Sequence, residues 1–237
     1  MNTYLFKNFT TICMAAIIFF GFSAQASADT IAFIGTGNVS SALGPKFAAL
    51  GHDIIYGSRE PERDDVQALV RQTGNRASAT TPASSVRDAD IVVIAVPGLV
   101  TLSVVAGLGD LSGKIIIDVT NPTQTLENGL RVHVVATSNA EIIQAMLPEA
   151  YVVKAFNTLN YVTMVNPASA GGPVTIPLAG NNDAAKATVA ELAQAIGFET
   201  SDIGPIAYAH ELEGMLVLFA NARAMGHPFN YYFRQPE

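Results

Sequence analysis

Between Thr30 and Arg59 the chain runs from an apolar stretch through a glycine turn and a small-residue segment to a second apolar stretch. Few folds accept that order. Thr30-Ile31-Ala32-Phe33-Ile34 reads as a strand and Gly35-Thr36-Gly37-Asn38-Val39-Ser40 as a turn that opens a helix to about Leu50. Asp53 to Tyr56 is the second strand, ending in Gly57-Ser58-Arg59. Strand, helix and strand within roughly 30 residues make a βαβ unit. Two glycines allow a tight turn and a close backbone approach, while the following helix offers free N–H groups and a positive dipole end. The expected occupant is therefore a pyrophosphate, cradled by Gly35, Thr36, Gly37, Asn38 and Val39.

The alternation continues. A short helix over Val66–Arg71 stops at Gly74, a brief strand follows over Arg76–Thr80, and a small polar helix over Pro82–Arg87. Asp90 to Val96 is an unbroken apolar run closed by Pro97-Gly98, as in a parallel strand covered on both faces. Leu99–Leu108 and Asn139–Leu147 read as helices, Lys114–Val119 and Tyr151–Phe156 as strands ending at Asn121-Pro122 and Asn157. Strands alternating with helices at this spacing predict an α/β fold with a doubly wound parallel (Rossmann) sheet. Ligands then sit beyond the carboxyl ends of the strands, which places Val96, Pro97, Asn121 and Pro122 beside the glycine turn. Pro167–Pro173 is a candidate mobile loop or boundary. A strand (Val174–Ala179), a helix (Asp183–Ile196), another strand (Phe198–Ile203) and a last helix (about Ile206–Met225) follow. The expected organisation is a nucleotide-binding domain over residues 29–157 and a short α/β C-terminal extension over 158–237, ending in a helix.

Residues 1–28 have the form of a secretory signal: Lys7, an apolar run from Thr11 to Phe22, and the small residues Ala26-Ser27-Ala28. The run is shorter than the roughly 20 residues of a membrane span. Cleavage after Ala28 and export, to the periplasm, are expected, with no stable span left behind. Cys13, the single cysteine, lies in that leader, so the remainder carries neither a disulfide nor a thiol mechanism. A net charge of −7 and the lack of a basic cluster argue against nucleic acid as a partner.

The second strand decides which nucleotide is expected. A ribose 2′-hydroxyl is usually held by Asp or Glu about 20 residues after the glycines, and a 2′-phosphate by an arginine and neutral donors. Here the tip is Ser58-Arg59, with Arg63 one helical turn later, which favours NADP(H). The polar residues do not form an acid/base set. His52, His133, His210 and His227 are scattered, without metal-ligand spacing. Lys154, the alternative proton donor of a dehydrogenase or imine reductase, lies in a predicted buried strand, where a paired or edge-facing structural lysine is the ordinary reading. Asp118 reads as a strand-end turn residue. Hydride transfer between a nicotinamide and a second ring needs positioning rather than a catalytic side chain. No catalytic residue and no metal are therefore expected. The aromatic group Phe229, Tyr231, Tyr232 and Phe233 is expected to pack the tail, to seam a homodimer, or to roof an acceptor ring.

Four motifs in order carry a family resemblance: Gly35-Thr36-Gly37-Asn38-Val39, Gly57-Ser58-Arg59, Asp118-Val119-Thr120-Asn121-Pro122 and Val153-Lys154-Ala155-Phe156-Asn157-Thr158. With Ala179-Gly180 and Glu211-Leu212-Glu213, they make nearly the whole chain after the leader resemble the NADPH-dependent reductases of coenzyme F420. They also resemble the related nucleotide domain of STEAP-type metalloreductases. The resemblance implies a small-molecule redox acceptor, a flavin, deazaflavin or metal chelate, with the C-terminal extension packing on the acceptor side. It also implies that Ser58, Arg59 and Arg63 hold the 2′-phosphate and that Val96, Pro97, Asn121 and Pro122 lie along the nicotinamide. The chain departs from the family at Ser40, where a glycine is usual, and at His210, where an arginine commonly stands. A non-catalytic NADP-binding or sensor module of the same fold is the alternative reading.

Overall fold

The computed structural model describes residues 28–236, so the expected signal, Ala28 apart, lies outside the described residues. The first half contains β1 (Thr30–Ile34), α1 (Asn38–Ala49), β2 (Asp53–Gly57), α2 (Asp64–Thr73), β3 (Ala77–Thr80), α3 (Pro82–Ser85), β4 (Ile91–Ile94) and α4 (Thr101–Ala106). There follow β5 (Ile115–Asp118), a hairpin of β6 (Thr123–Thr125) and β7 (Arg131–His133), α5 (Asn139–Met146), β8 (Tyr151–Lys154) and α6 (Tyr161–Val165). The chain ends with β9 (Thr175–Gly180), α7 (Asp183–Ala195), β10 (Glu199–Gly204) and α8 (Ala209–Ala224).

One sheet of eight strands, in the order β10-β9-β8-β5-β4-β1-β2-β3, carries the molecule. From β3 to β8 every pair is parallel. β9 joins β8 antiparallel and β10 joins β9 parallel, so the two strands of the C-terminal extension widen the same sheet. After β8 the chain folds α6 onto α1 instead of crossing back along the sheet, and it enters β9 from the carboxyl edge. The fold is the doubly wound Rossmann sheet, closed by a C-terminal helix.

Residue alternation along each strand divides the core in two. Ile31, Phe33, Ile54, Tyr56 and Phe47 fill one face, while Ala32, Ile34, Val92, Ile94 and Val105 fill the other. β4 is buried at every position, as its unbroken apolar run requires. The strand order reverses between β1 and β4. Their carboxyl ends therefore open a crevice at the point where such sheets bind ligands.

Ser40, the residue in place of the usual glycine, is fully buried, and its Oγ donates to the Gly35 carbonyl at 2.8 Å. The hydroxyl thus ties the helix start to the turn. Close packing of helix on strand falls one turn later, at Gly44, where a Cβ would collide with the Tyr56 side chain. The Tyr56 hydroxyl bonds Thr73 Oγ1 at 2.7 Å, and burial pushes its pKa up to about 12. α1 runs unbroken through Pro45.

Two elements escape a reading of periodicity. The β6–β7 hairpin and α6 are three to five residues long, too short to show a period. Pro167–Pro173 is a tethered turn: Arg234 donates to the carbonyls of Ala170 and Pro173, and Pro167–Ala170 forms one 3-10 turn.

Candidate functional site

A cavity of about 530 Å³ lies at the reversal point. Its floor is the glycine turn. Gly35 has φ +105°, and a Cβ there would lie 2.6 Å from the Ala95 carbonyl, so the turn needs glycine for its conformation and for β1–β4 contact. Gly37, the cap of α1, is different: nothing lies within 4 Å of where its Cβ would be. That open space sits in front of the free N–H groups of the first helical turn, which contains no acidic residue.

Eight of the twelve expected binding residues line this cavity: Gly35, Thr36, Gly37, Ser58, Arg59, Arg63, Val96 and Pro97. Arg59 makes no hydrogen bond or ion pair among the described residues. Arg63, in contrast, forms a forked pair with Asp65 at 2.5 and 3.0 Å, and that contact raises its pKa. Pro82, Val100, Ser103 and Val104 complete the wall and were not expected.

Ala95, Val96 and Pro97 are shared with a second cavity of about 350 Å³. Val39 and Asn121, two further expected residues, line it together with Gly98, Thr120, Thr123, Arg131 and Leu216. Asn38 and Pro122 line neither cavity; Asn38 is exposed at the start of α1 and Pro122 is buried, with its carbonyl accepting from Val134. The second cavity draws on parts that are remote in sequence. Gly98 is required because a Cβ there would strike the Asn121 carbonyl. The hairpin that supplies Thr123 and Arg131 is docked on α8 by Asn221, which accepts from the Arg131 N–H at 2.6 Å and donates to its carbonyl at 2.8 Å.

The ends of β5 and β8 are tied beneath that cavity. Asn157 Nδ2 donates to Asn121 Oδ1 at 3.0 Å and to the Leu212 carbonyl at 2.9 Å. Phe156, just before it, has φ +60°, and the Asn157 N–H closes a three-residue turn onto the Ala155 carbonyl at 2.8 Å. A buried phenylalanine in this region stores strain of about 1–3 kcal/mol, held by the surrounding packing. A third, smaller cavity of about 90 Å³ adjoins the second at Leu216 and is lined by Asn157, Thr158, Phe219, Tyr231 and Tyr232. Phe219, Phe229 and Tyr231 stack edge to face or tilted, with centroids near 6 Å.

Lys154 and Asp118 are structural partners. Lys154 Nζ donates to Asp118 Oδ2 at 2.8 Å, to Glu213 Oε1 at 2.7 Å and to the Thr120 carbonyl, and all three side chains are fully buried. Burial pushes the Glu213 pKa up to about 7 against the opposing pull of Lys154. Two of the four histidines meet: His133 and His210 stack with centroids 4.8 Å apart, and burial first, then His210, lowers the His133 pKa. No cluster of metal-ligating side chains occurs among the described residues.

The family model for "NADP oxidoreductase coenzyme F420-dependent" matches residues 30–122, from β1 to the end of β5. Metalloreductase STEAP3 of Rattus norvegicus is 30% identical over 191 residues, 79% of this chain and 36% of its own length. The chain thus spans about a third of the length of the curated relatives it matches. A solved structure of a candidate F420-dependent NADP reductase from Arthrobacter sp. FB24 superposes with a TM-score of 0.79 at 31% identity, over 88% of this chain and 100% of that one. The hypothetical protein SMa0349 from Sinorhizobium meliloti does so with a TM-score of 0.66 at 30% identity, over 78% and 90%. Its family-model match and its 31% identity to the Arthrobacter reductase structure over the whole of that chain, together with the glycine turn and the Ser58-Arg59 strand end, show that the chain belongs to the coenzyme F420-dependent NADP oxidoreductase family.

Proposed function

We propose that the protein binds NADP(H) in the large cavity and passes a hydride between its nicotinamide and a flavin-like, deazaflavin or metal-chelate acceptor in the second cavity. The observation that carries this reading is the shared wall. Ala95, Val96 and Pro97 border both cavities, so ligands in the two would lie against the same short segment.

The residues fit the nucleotide. Open space over Gly37, at a helix start without acidic residues, accepts a pyrophosphate, and Arg59, free of partners among the described residues, suits a 2′-phosphate. Ser58, 7% exposed, keeps its Oγ engaged with the Glu60 N–H at 3.2 Å and shapes the same corner. When bound, NADPH supplies the hydride. The chain's part is to hold two flat ligands along Val96 and Pro97, with Arg131 at the acceptor cavity offering a cation to an anionic substituent. Export through the signal at residues 1–28 belongs to the same proposal, as does cleavage after Ala28.

The test is a titration of the purified protein with NADPH and NADH, repeated for Arg59→Ala, and then turnover with FMN, ferric citrate and a quinone. NADPH should bind preferentially, and the variant should lose about 10- to 100-fold in NADPH affinity, the worth of hydrogen bonds to a charged group. Equal affinities in both proteins would overturn the assignment of Arg59. Binding without oxidation by any acceptor would favour a nucleotide sensor instead.

A further inference from the structure

We infer that Glu213 is a positioning residue for the acceptor: clamped to Lys154, it seats α8, and with it Leu216, over the junction of the second and third cavities. This rests on the proposed division into a nucleotide cavity and an acceptor cavity.

The clamp ties α8 and α5 to the paired ends of β5 and β8. Lys154 stands on β8, Asp118 on β5 and Glu213 on α8, and Glu213 Oε1 also accepts the Asn139 N–H of α5 at 3.1 Å. Asn139 Nδ2 continues the network to the Gly98 carbonyl at 3.0 Å and to Thr120 Oγ1 at 2.8 Å, both of which belong to residues lining the acceptor cavity. Leu216 lies three residues beyond Glu213, on the same face of the helix. It lines both cavities. A shift of Glu213 therefore moves the side chain that divides the acceptor space, while Gly35, Gly37 and Arg59 line only the nucleotide cavity.

One ammonium faces two carboxylates here. The charged and titratable groups around Glu213 are Lys154 from β8, Asp118 from β5, His133 from β7, whose ring lies beside Gly214, and His210 one turn earlier on α8, stacked on His133. Glu213 Oε2 has no partner although it is fully buried. Burial raises the Glu213 pKa to about 7, so rising pH puts an uncompensated charge at this point, which loosening of α8 would relieve. Acceptor binding then weakens as pH rises through neutrality. Nucleotide binding does not.

The experiment uses Glu213→Gln, which keeps the Oε1 acceptor and removes the charge. Methyl resonances of Leu216 are followed in the NADPH-loaded protein from about pH 5.5 to about pH 8.5, together with the KM for FMN and the Kd for NADPH. In the wild type the Leu216 signals should titrate with a midpoint near 7. The KM should rise at least about threefold with the same midpoint, and the NADPH Kd should follow neither. In Glu213→Gln both titrations should vanish and the KM should stay at its low-pH value. Leu216 signals that do not titrate, or that titrate equally in the variant, would overturn the inference. Absence of FMN turnover in the wild type counts against the reductase reading alone, and the methyl titration then decides the inference.

Discussion

The cavity proposed for the nucleotide and the one proposed for the acceptor share a wall but are held together by different physics. The first is built from backbone: a positive-φ glycine against the Ala95 carbonyl, an open helix start and three neighbouring strand tips. The second is built from side chains that meet across long sequence separations, with Lys154 to Asp118 spanning 36 residues, Lys154 to Glu213 59 and Asn221 to Arg131 90. Outside the positions that need glycine, backbone geometry tolerates changes of side chain and fixes one ligand shape. A buried charge network fixes an arrangement of elements and is sensitive to the loss of any one member. The nucleotide side should therefore be rigid and indifferent to pH, and the acceptor side conditional.

The sharpest way to break this contrast is Lys154→Met. Removing the ammonium leaves Asp118 and Glu213 buried without their partner, which should cost about 3–5 kcal/mol. Urea denaturation at neutral pH measures it. The loss should shrink toward pH 5, because Glu213, once it takes up a proton, no longer carries buried charge. For Glu213 the sign is explicit: its folded pKa, about 7, is above the unfolded 4.5, so its contribution to wild-type stability is complete below 4.5 and is lost as pH rises through 7. Hydrogen exchange in Lys154→Met should rise over α8 and the β6–β7 hairpin and stay low over β1 and β4. A uniform rise would show that the two sides are one cooperative unit.

Gly35→Ala attacks the other side. A side chain at φ +105° that also presses on the Ala95 carbonyl should cost about 2–4 kcal/mol and abolish NADPH binding, while the protection of α8 is retained. Fluorescence of bound NADPH and thermal melting read the two effects separately. Retained binding would mean that the turn relaxes and that its shape is not dictated by the β1–β4 contact.

The two sides also differed in how legible they were. Gly35, Gly37, Ser58 and Arg59 lie within one βαβ unit, so local pattern alone placed them around a common crevice. Arg63 stood at the right position, but sequence did not reveal that Asp65, two residues on, occupies its guanidinium. On the acceptor side, Lys154 in a predicted buried strand left open whether it is paired or faces an edge, and named no partner. Asp118 read as a turn residue and Glu213 as part of a closing motif. Thr123 and Arg131 were invisible because their hairpin has three-residue strands with no apolar period. The antiparallel entry of β9 could not be read either, since strand-and-helix spacing is the same for a crossover and for a chain that turns back over α1.

Ser40 gives the smallest and most discriminating test, because here a buried side chain holds the glycine turn itself. Its Oγ holds the Gly35 carbonyl at 2.8 Å in a fully buried site. Ser40→Ala should cost about 1 kcal/mol, the net worth of one hydrogen bond, and weaken NADPH binding by less than about fivefold. Ser40→Gly restores the usual family residue yet should be slightly worse, because glycine inside a helix adds roughly 0.5–1 kcal/mol of backbone entropy. If Ser40→Gly instead melted higher than the wild type, helix packing at residue 40 would be the limiting contact. Gly44 would then not have taken over the close approach to Tyr56. The expected order, wild type above Ser40→Ala above Ser40→Gly, assigns that approach to Gly44 and leaves Ser40 as the lock on the turn.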